Sequence, residues 1–233
     1  MDKKYTIDDL LEILKVLRSD NGCPWDRVQT HDSIKKNMIE ETYEAIDALE
    51  SGDDGAFANE LGDVLLQVAF HATLAKERGA FCFDDILNEI CTKLIARHTH
   101  VFGEDKAVSA EEALSTWEKN KKKEKGLKSD SELLKEVPHG LPALMRAQKL
   151  QKKAAACGKS FEEGDKAAKK VSEIAVNLQG SVPGESDTEK AVGDMLFAAV
   201  NLARTLKVDA ETALAASSNR FVKDFESAEK TEK

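Results

Sequence analysis

Glu40, Glu41 and Glu44 in "EETYE" fall within about one helical turn, and Glu60 and Asp63 in "ELGD" stand one turn apart further along. Like charges at this spacing cost an isolated helix about 0.2–0.5 kcal/mol per pair, so the cluster needs either water or a counter-charge. At the helical repeat, Glu60, Asp63, Gln67 and His71 lie within about 80° of one another. Val64, Leu65, Leu66, Val68, Ala69 and Phe70 cover most of the remaining circumference. A helix apolar nearly all round is buried, which puts this stripe inside the protein. A carboxylate there must find a cation or take up a proton. On the preceding helix Glu40, Glu44 and Asp47 oppose Ile39, Ile46 and Leu49. Any amphipathic helix looks like this, so a solvated face stays open for it. Carboxylates on adjacent helices of a four-helix unit can hold divalent cations. Ligation by carboxylates alone suits Mg2+, with Mn2+ as a possible substitute, better than zinc.

The elements that must position these residues are all helical. Thr6 with Asp9 opens a first helix ahead of Leu10, Leu11, Leu14 and Leu17, and "SDNGCPWD" breaks it. The acidic helices run from about His31 to Glu50, stopped by "SGDDG", and from about Ala56 to Arg78, stopped by Gly79. Asp84 or Asp85 begins a fourth, and Ser109 with Glu112 forms a capping box for a fifth, "AEEALSTWEKNKKKE". The Pro- and Gly-bearing "GLKSDSELLKEVPHGLP" connects two halves. Beyond it come "ALMRAQKLQKKAAA", "DKAAKKVSEIAVNLQ", "EKAVGDMLFAAVNLARTL" and "DAETALAASSNRFVKDFESAEK". No useful stretch alternates with period two. The fold class expected is all-α, with a domain at 1–125, a linker at 126–140 and a second helical domain at 141–233.

Composition narrows the function. A net charge of −9 lacks the basic footprint of a nucleic-acid binder, so direct nucleic-acid binding is not expected. No apolar run approaches the ~20 residues that span a bilayer, so no membrane partner is expected. The start, "MDKKYTIDDLLEILKVL", is not read as a signal peptide. Four scattered cysteines without a CxxC fit a reducing cytoplasm.

The second half repeats the first with losses. "LGDVLLQVAFHATLA" aligns with "VGDMLFAAVNLARTL", pairing Gly62-Asp63 with Gly193-Asp194. Glu60 then meets Ala191, Gln67 meets Ala198 and His71 meets Leu202. Upstream, Glu40 meets Glu173, while Glu41 and Glu44 meet Ile174 and Asn177. Core positions survive in kind and three acids do not, so those acids serve something the fold does not require.

With "EETYE", "ELGDVLLQVAFHA", "NGCPWD", "KLIARHTHVFGE", "LPALMRAQKLQKKA" and "GDMLFAAVNLAR" in one order across nearly the whole chain, the sequence resembles the MazG branch of the all-α nucleoside triphosphate pyrophosphohydrolases. The resemblance implies two tandem MazG-like helical bundles, the second degenerate. It also implies Mg2+-assisted hydrolysis of nucleoside triphosphates to the monophosphate and pyrophosphate, and a homodimer. Carried over by motif, Glu41, Glu44, Glu60 and Asp63 are the metal ligands. Glu40 is a second partner or the catalytic base that orients water. Lys93 and Arg97 in "KLIAR" contact the triphosphate, and Trp117 and Lys121 in "TWEKNK" contact the nucleotide. In the second half Arg220 and Asp224 align with Lys93 and Arg97, and no second "WxxxK" follows. Catalysis is therefore expected in the first half.

Plainer readings accompany these. Lys93 and Arg97 also fit the C-terminal turn of a helix, Trp117 fits a core position, and Trp25 in "CPWD" could plug the core. A bare His98-x-His100 is too weak for a metal site. A nucleotide-binding regulatory module with little turnover is the competing function. A ferritin-like di-iron site would want Glu-x-x-His on facing helices, which "ELGD" and "EETYE" do not provide.

Overall fold

Thr6 and Asp9 close the first capping box: Thr6 Oγ1 accepts from the Asp9 N–H, and the Asp9 carboxylate accepts from the Thr6 N–H. The computed structural model describes residues 4–124, 126, 129–178 and 186–231. Among these, every regular element is a helix. In the first half they are α1 (Ile7–Leu17), α2 (Pro24–Arg27), α3 (His31–Ser51), α4 (Asp54–Glu77), α5 (Phe83–Arg97), α6 (Thr99–Phe102) and α7 (Ala110–Glu124). Then follow α8 (Asp130–Lys135), α9 (Ala143–Ala156), α10 (Asp165–Asn177), α11 (Ser186–Thr205) and α12 (Ala210–Thr231).

The chain forms two compact units, Met1–Lys121 and Lys122–Lys233. Part of the stretch 126–140, expected as a linker, is helix α8. Ser129 and Glu132 make a capping box there, Lys153 Nζ donates to the Leu133 carbonyl at 3.0 Å, and Val137 is buried. Lys125, Leu127 and Lys128 near that boundary, and Gln179 at the end of the expected "DKAAKKVSEIAVNLQ" helix, lie outside the described residues.

In the first unit α4 is the spine, with α3 packed along it and α1 and α5 against its C-terminal half. Leu14, Ile34, Ala69, Phe70, Ala72, Leu74 and Phe83 form the core. A two-residue turn reverses the chain between α3 and α4. Gly52 takes φ 75° and ψ 13°, a conformation open to glycine at little cost, and caps α3. Asp53 Oδ1 then accepts from the N–H groups of Gly55 and Ala56 to start α4. Arg18 locks α1 onto this pair: its guanidinium donates to both carboxylate oxygens of Glu77 at 2.6 and 2.7 Å, and to the backbone carbonyl of Asp26.

Two expectations are corrected here. Helix α3 buries Ile34 and Ala45, whereas Ile39, Ile46 and Leu49 are exposed. It therefore meets α4 along a stripe between its acidic and large apolar sides, and that stripe carries Glu41. Helix α4 is buried in its C-terminal half, but Leu61 and Leu65 in its N-terminal half are exposed. Periodicity marks which residues share a face; it does not say how much protein covers that face.

The second unit pairs its helices in the same order. Helices α9 and α10 pack on α11, as α1 and α3 pack on α4, and α12 lies against α9 and α11. Ala167 and Val200, the counterparts of Ile34 and Ala69, are likewise buried.

Candidate metal and nucleotide site

Glu41 on α3 and Glu60 and Asp63 on α4 converge in the seam between the two helices. One carboxylate oxygen of each lies within 4.8 Å of the others. Gln67, one turn beyond Asp63 and only 7% exposed, reaches Glu41 Oε1 with its amide nitrogen at 3.5 Å. Burial, then the negative fields of Asp63, Glu44, Glu40 and Glu60, raise the Glu41 carboxyl above its ordinary range. Among the described residues no lysine or arginine forms an ion pair with these carboxylates. An oxygen-only cluster of half-buried carboxylates with surplus negative charge fits a hard divalent cation. Glu44, the fourth expected ligand, stands outside the triad and is exposed, as is Glu40. Both add to the field on Glu41.

Further along the same face of α4, His71 meets His31 from the first turn of α3, Nδ1 to Nδ1 at 2.8 Å. His71 belongs to the stripe read from the sequence, whereas His31 was not anticipated. No local pattern links residues forty positions apart in sequence.

Three of the four residues expected to contact the nucleotide, Arg97, Trp117 and Lys121, form a second cluster. The Trp117 ring carries the Arg97 guanidinium 5.3 Å and the Lys121 ammonium 4.7 Å from its centroid. Asn120 donates from Nδ2 to the Arg97 carbonyl at 3.3 Å and to Thr99 Oγ1 at 2.8 Å, tying α7 to the end of α5. Arg97 is thus engaged by a ring as well as placed at a helix end, and Trp117 is half-buried rather than core. Lys93 lies one turn before Arg97 and pairs with Glu89 at 2.7 Å. Trp25 is 59% exposed, so it does not plug the core.

A profile of the MazG nucleotide pyrophosphohydrolase domain matches residues 29–102. The chain is 41% identical over 229 residues to a nucleoside triphosphate pyrophosphohydrolase of Escherichia coli K12, covering 96% of this chain and 87% of that protein. The chain belongs to the MazG family.

A second MazG relative, the nucleoside triphosphate pyrophosphohydrolase/pyrophosphatase MazG of Thermotoga maritima, is 40% identical over 222 residues, 95% of this chain and 85% of that protein. The uncharacterized protein YabN of Bacillus subtilis is 43% identical over 224 residues, 95% of this chain but 46% of its own length. The MazG profile takes in the acidic seam together with Lys93 and Arg97, and ends before Trp117 and Lys121.

Proposed function

We propose that this chain hydrolyses nucleoside triphosphates, ribo- and deoxyribo- alike, to the monophosphate and pyrophosphate, clearing unwanted nucleotides from the cytoplasmic pool. The first unit is the catalytic one. The observation that carries this reading is the meeting of Glu41, Glu60 and Asp63 in one seam, with burial raising the Glu41 carboxyl. Those three, joined by Glu44, would hold Mg2+, or Mn2+ in its place. Such an ion supplies Lewis-acid polarisation of phosphate oxygens and a lowered pKa for bound water. Glu40, exposed beside Glu41, orients the attacking water and accepts its proton. Lys93, Arg97 and Lys121 offset the negative charge that builds on the departing pyrophosphate. Trp117 offers an aromatic face to the base.

The second unit, which keeps only Asp194 of the four ligand positions, serves folding, dimerisation or regulation. Homodimerisation is part of the proposal. Leu87, Ile90 and Leu94 on α5, like Ile39, Ile46 and Leu49 on α3, are exposed apolar side chains at helical spacing, and a second copy would cover them.

The test is to incubate the purified chain with each NTP and dNTP in Mg2+ and quantify pyrophosphate, alongside Glu41→Gln and Asp63→Asn. Metal-dependent pyrophosphate release that both substitutions abolish is expected. Full activity in both variants would overturn the assignment of the site. The loss of acids from the second seam favours one alternative, a nucleotide-binding regulatory module. Tight nucleotide binding without metal-dependent product would establish that reading instead.

A further inference from the structure

The seam between α10 and α11 corresponds to the acidic seam between α3 and α4, and it forms a half-open cavity of about 380 Å³. Ile174, Asn177, Ala191, Asp194 and Ala198 line it. These five stand where Glu41, Glu44, Glu60, Asp63 and Gln67 stand in the first unit. Three ionic or amide side chains have become Ile174, Ala191 and Ala198, which clears the seam rather than filling it. Asp194 is the one carboxylate kept at these five positions, too few to rebuild a cation site of the first unit's kind.

The cavity has a built floor and wall. Ala167 and Asn201 are buried at its base. Asn201 Nδ2 donates to the Glu162 carbonyl at 2.8 Å, while its Oδ1 accepts from Arg204 at 2.9 and 3.2 Å. This amide holds the segment carrying Phe161 against α11. Phe197 and Phe161, whose ring centroid lies 5.5 Å from the Arg204 guanidinium carbon, line the wall, and the exposed Lys170, Asn177 and Asp194 rim the mouth.

The lining selects a ligand class. Its volume falls within the ~300–1,000 Å³ range of small-molecule sites. Glu162 and Asp194 offset Lys170 and the adjacent Arg204, so the seam has no surplus positive charge to hold a metal-free polyphosphate. Phenylalanine rings and aliphatic walls suit a flat apolar face, and every nucleobase has one. An amide and a carboxylate at the rim suit its edge: Asn pairs with a donor–acceptor edge, and a carboxylate accepts from an amino group. We propose that the second unit binds a phosphate-free nucleobase or nucleoside in this cavity, without metal, through Asp194 and Asn177 at the rim. The site is separate from the proposed hydrolytic centre and does not depend on that centre being active.

The test is calorimetric titration of the full chain, in EDTA, with guanosine, adenosine and cytidine and with the free bases guanine, adenine and cytosine. Saturable binding of at least one compound is expected. Ala198→Leu, which fills the cavity, and Asp194→Asn, which removes the rim acceptor, should each weaken it about tenfold or more. Glu41→Gln should leave it unchanged. A base binding as tightly as its nucleoside identifies the base as the ligand; tighter nucleoside binding brings the ribose into the site. Absence of saturable binding across the panel would overturn the proposal. So would binding that needs Mg2+, that Glu41→Gln removes, or that survives both second-unit substitutions. Far-ultraviolet dichroism of each variant confirms that it is folded, and Asp194→Asn at the exposed rim tests the site if Ala198→Leu does not fold.

Discussion

His31 and His71 meet edge to edge across the seam of α3 and α4, their ring planes 5° from parallel and their Nδ1 atoms 2.8 Å apart. At that distance one nitrogen carries the proton and the other accepts it, so the pair is stable only while one ring is neutral. Burial, and then the proximity of His31, lower the pKa of His71 from its ordinary 6.5.

The unfolded chain therefore binds more protons than the folded one between pH 6.5 and the lowered value. This contribution to stability is present above 6.5 and is lost as pH falls through that window, with a slope no steeper than about 1.4 kcal/mol per pH unit. Urea melts of the metal-free protein at a series of pH values should show the decline. His71→Phe, which keeps an aromatic ring of similar shape and removes the proton site, should flatten it. An unchanged slope in that variant would place the titration elsewhere.

Replacing Glu41 by Gln removes the carboxylate on which burial and four neighbouring acids converge. In EDTA the variant is expected to be more stable than the parent, by about 0.5–2 kcal/mol, as sites built for function commonly are when disarmed. Mg2+ at a hundred times its Kd should stabilise the parent by about 2.7 kcal/mol, and the variant should lose most of that gain. Denaturant melts with and without Mg2+ measure both. A variant less stable than its parent in EDTA would mean that a group of the protein already neutralises Glu41.

Trp117→Leu keeps the apolar bulk but withdraws the ring face that Arg97 and Lys121 share. The expected result is a KM for triphosphates raised about tenfold, corresponding to one lost base–aromatic contact, with kcat changed far less. Steady-state pyrophosphate release measures this. A fall confined to kcat would mean that the cluster orients the reacting phosphates rather than the base.

Arg18 has a side chain 8% exposed, paired to a Glu77 side chain that is 45% exposed, and its guanidinium also lies 5.5 Å from the Phe70 ring centroid. Because Glu77 can rehydrate when left alone, Arg18→Ala should cost about 1.5–3 kcal/mol, the range of hydrogen bonds to charged groups. The larger loss of a fully buried pair is not expected. Chemical denaturation of the variant gives the figure.

What the sequence revealed, and what it withheld, follows from the range of the interactions involved. Helix α3 ends at Ser51 and α4 at Glu77, close to where "SGDDG" and Gly79 stopped them, because helix-stopping residues act within one turn. Glu41, Glu60 and Asp63 came together as their spacing and the faded repeat implied, whereas Glu44 stayed outside the triad. Three residues fall short of a full helical turn, so Glu44 is rotated from Glu41 towards the exposed edge of the seam. Helix α8 was missed because the glycines and prolines around it outweigh one capping box. The exposure of Ile39, Leu61 and Leu65 could not be read from periodicity, since these faces have no covering element in their own unit.

The turn at Gly52 makes α3 and α4 a hairpin, so the three converging carboxylates sit on neighbouring stretches of chain. Contacts of such low order close with little loop entropy and form early. During synthesis this hairpin emerges ahead of α5 to α12, and the N-terminal part of a chain generally folds first. A divalent ion captured there would act as a folding nucleus as well as a cofactor. Pulse-labelled hydrogen exchange during refolding should then show α3 and α4 protected together, before α10 and α11, and sooner when Mg2+ is present.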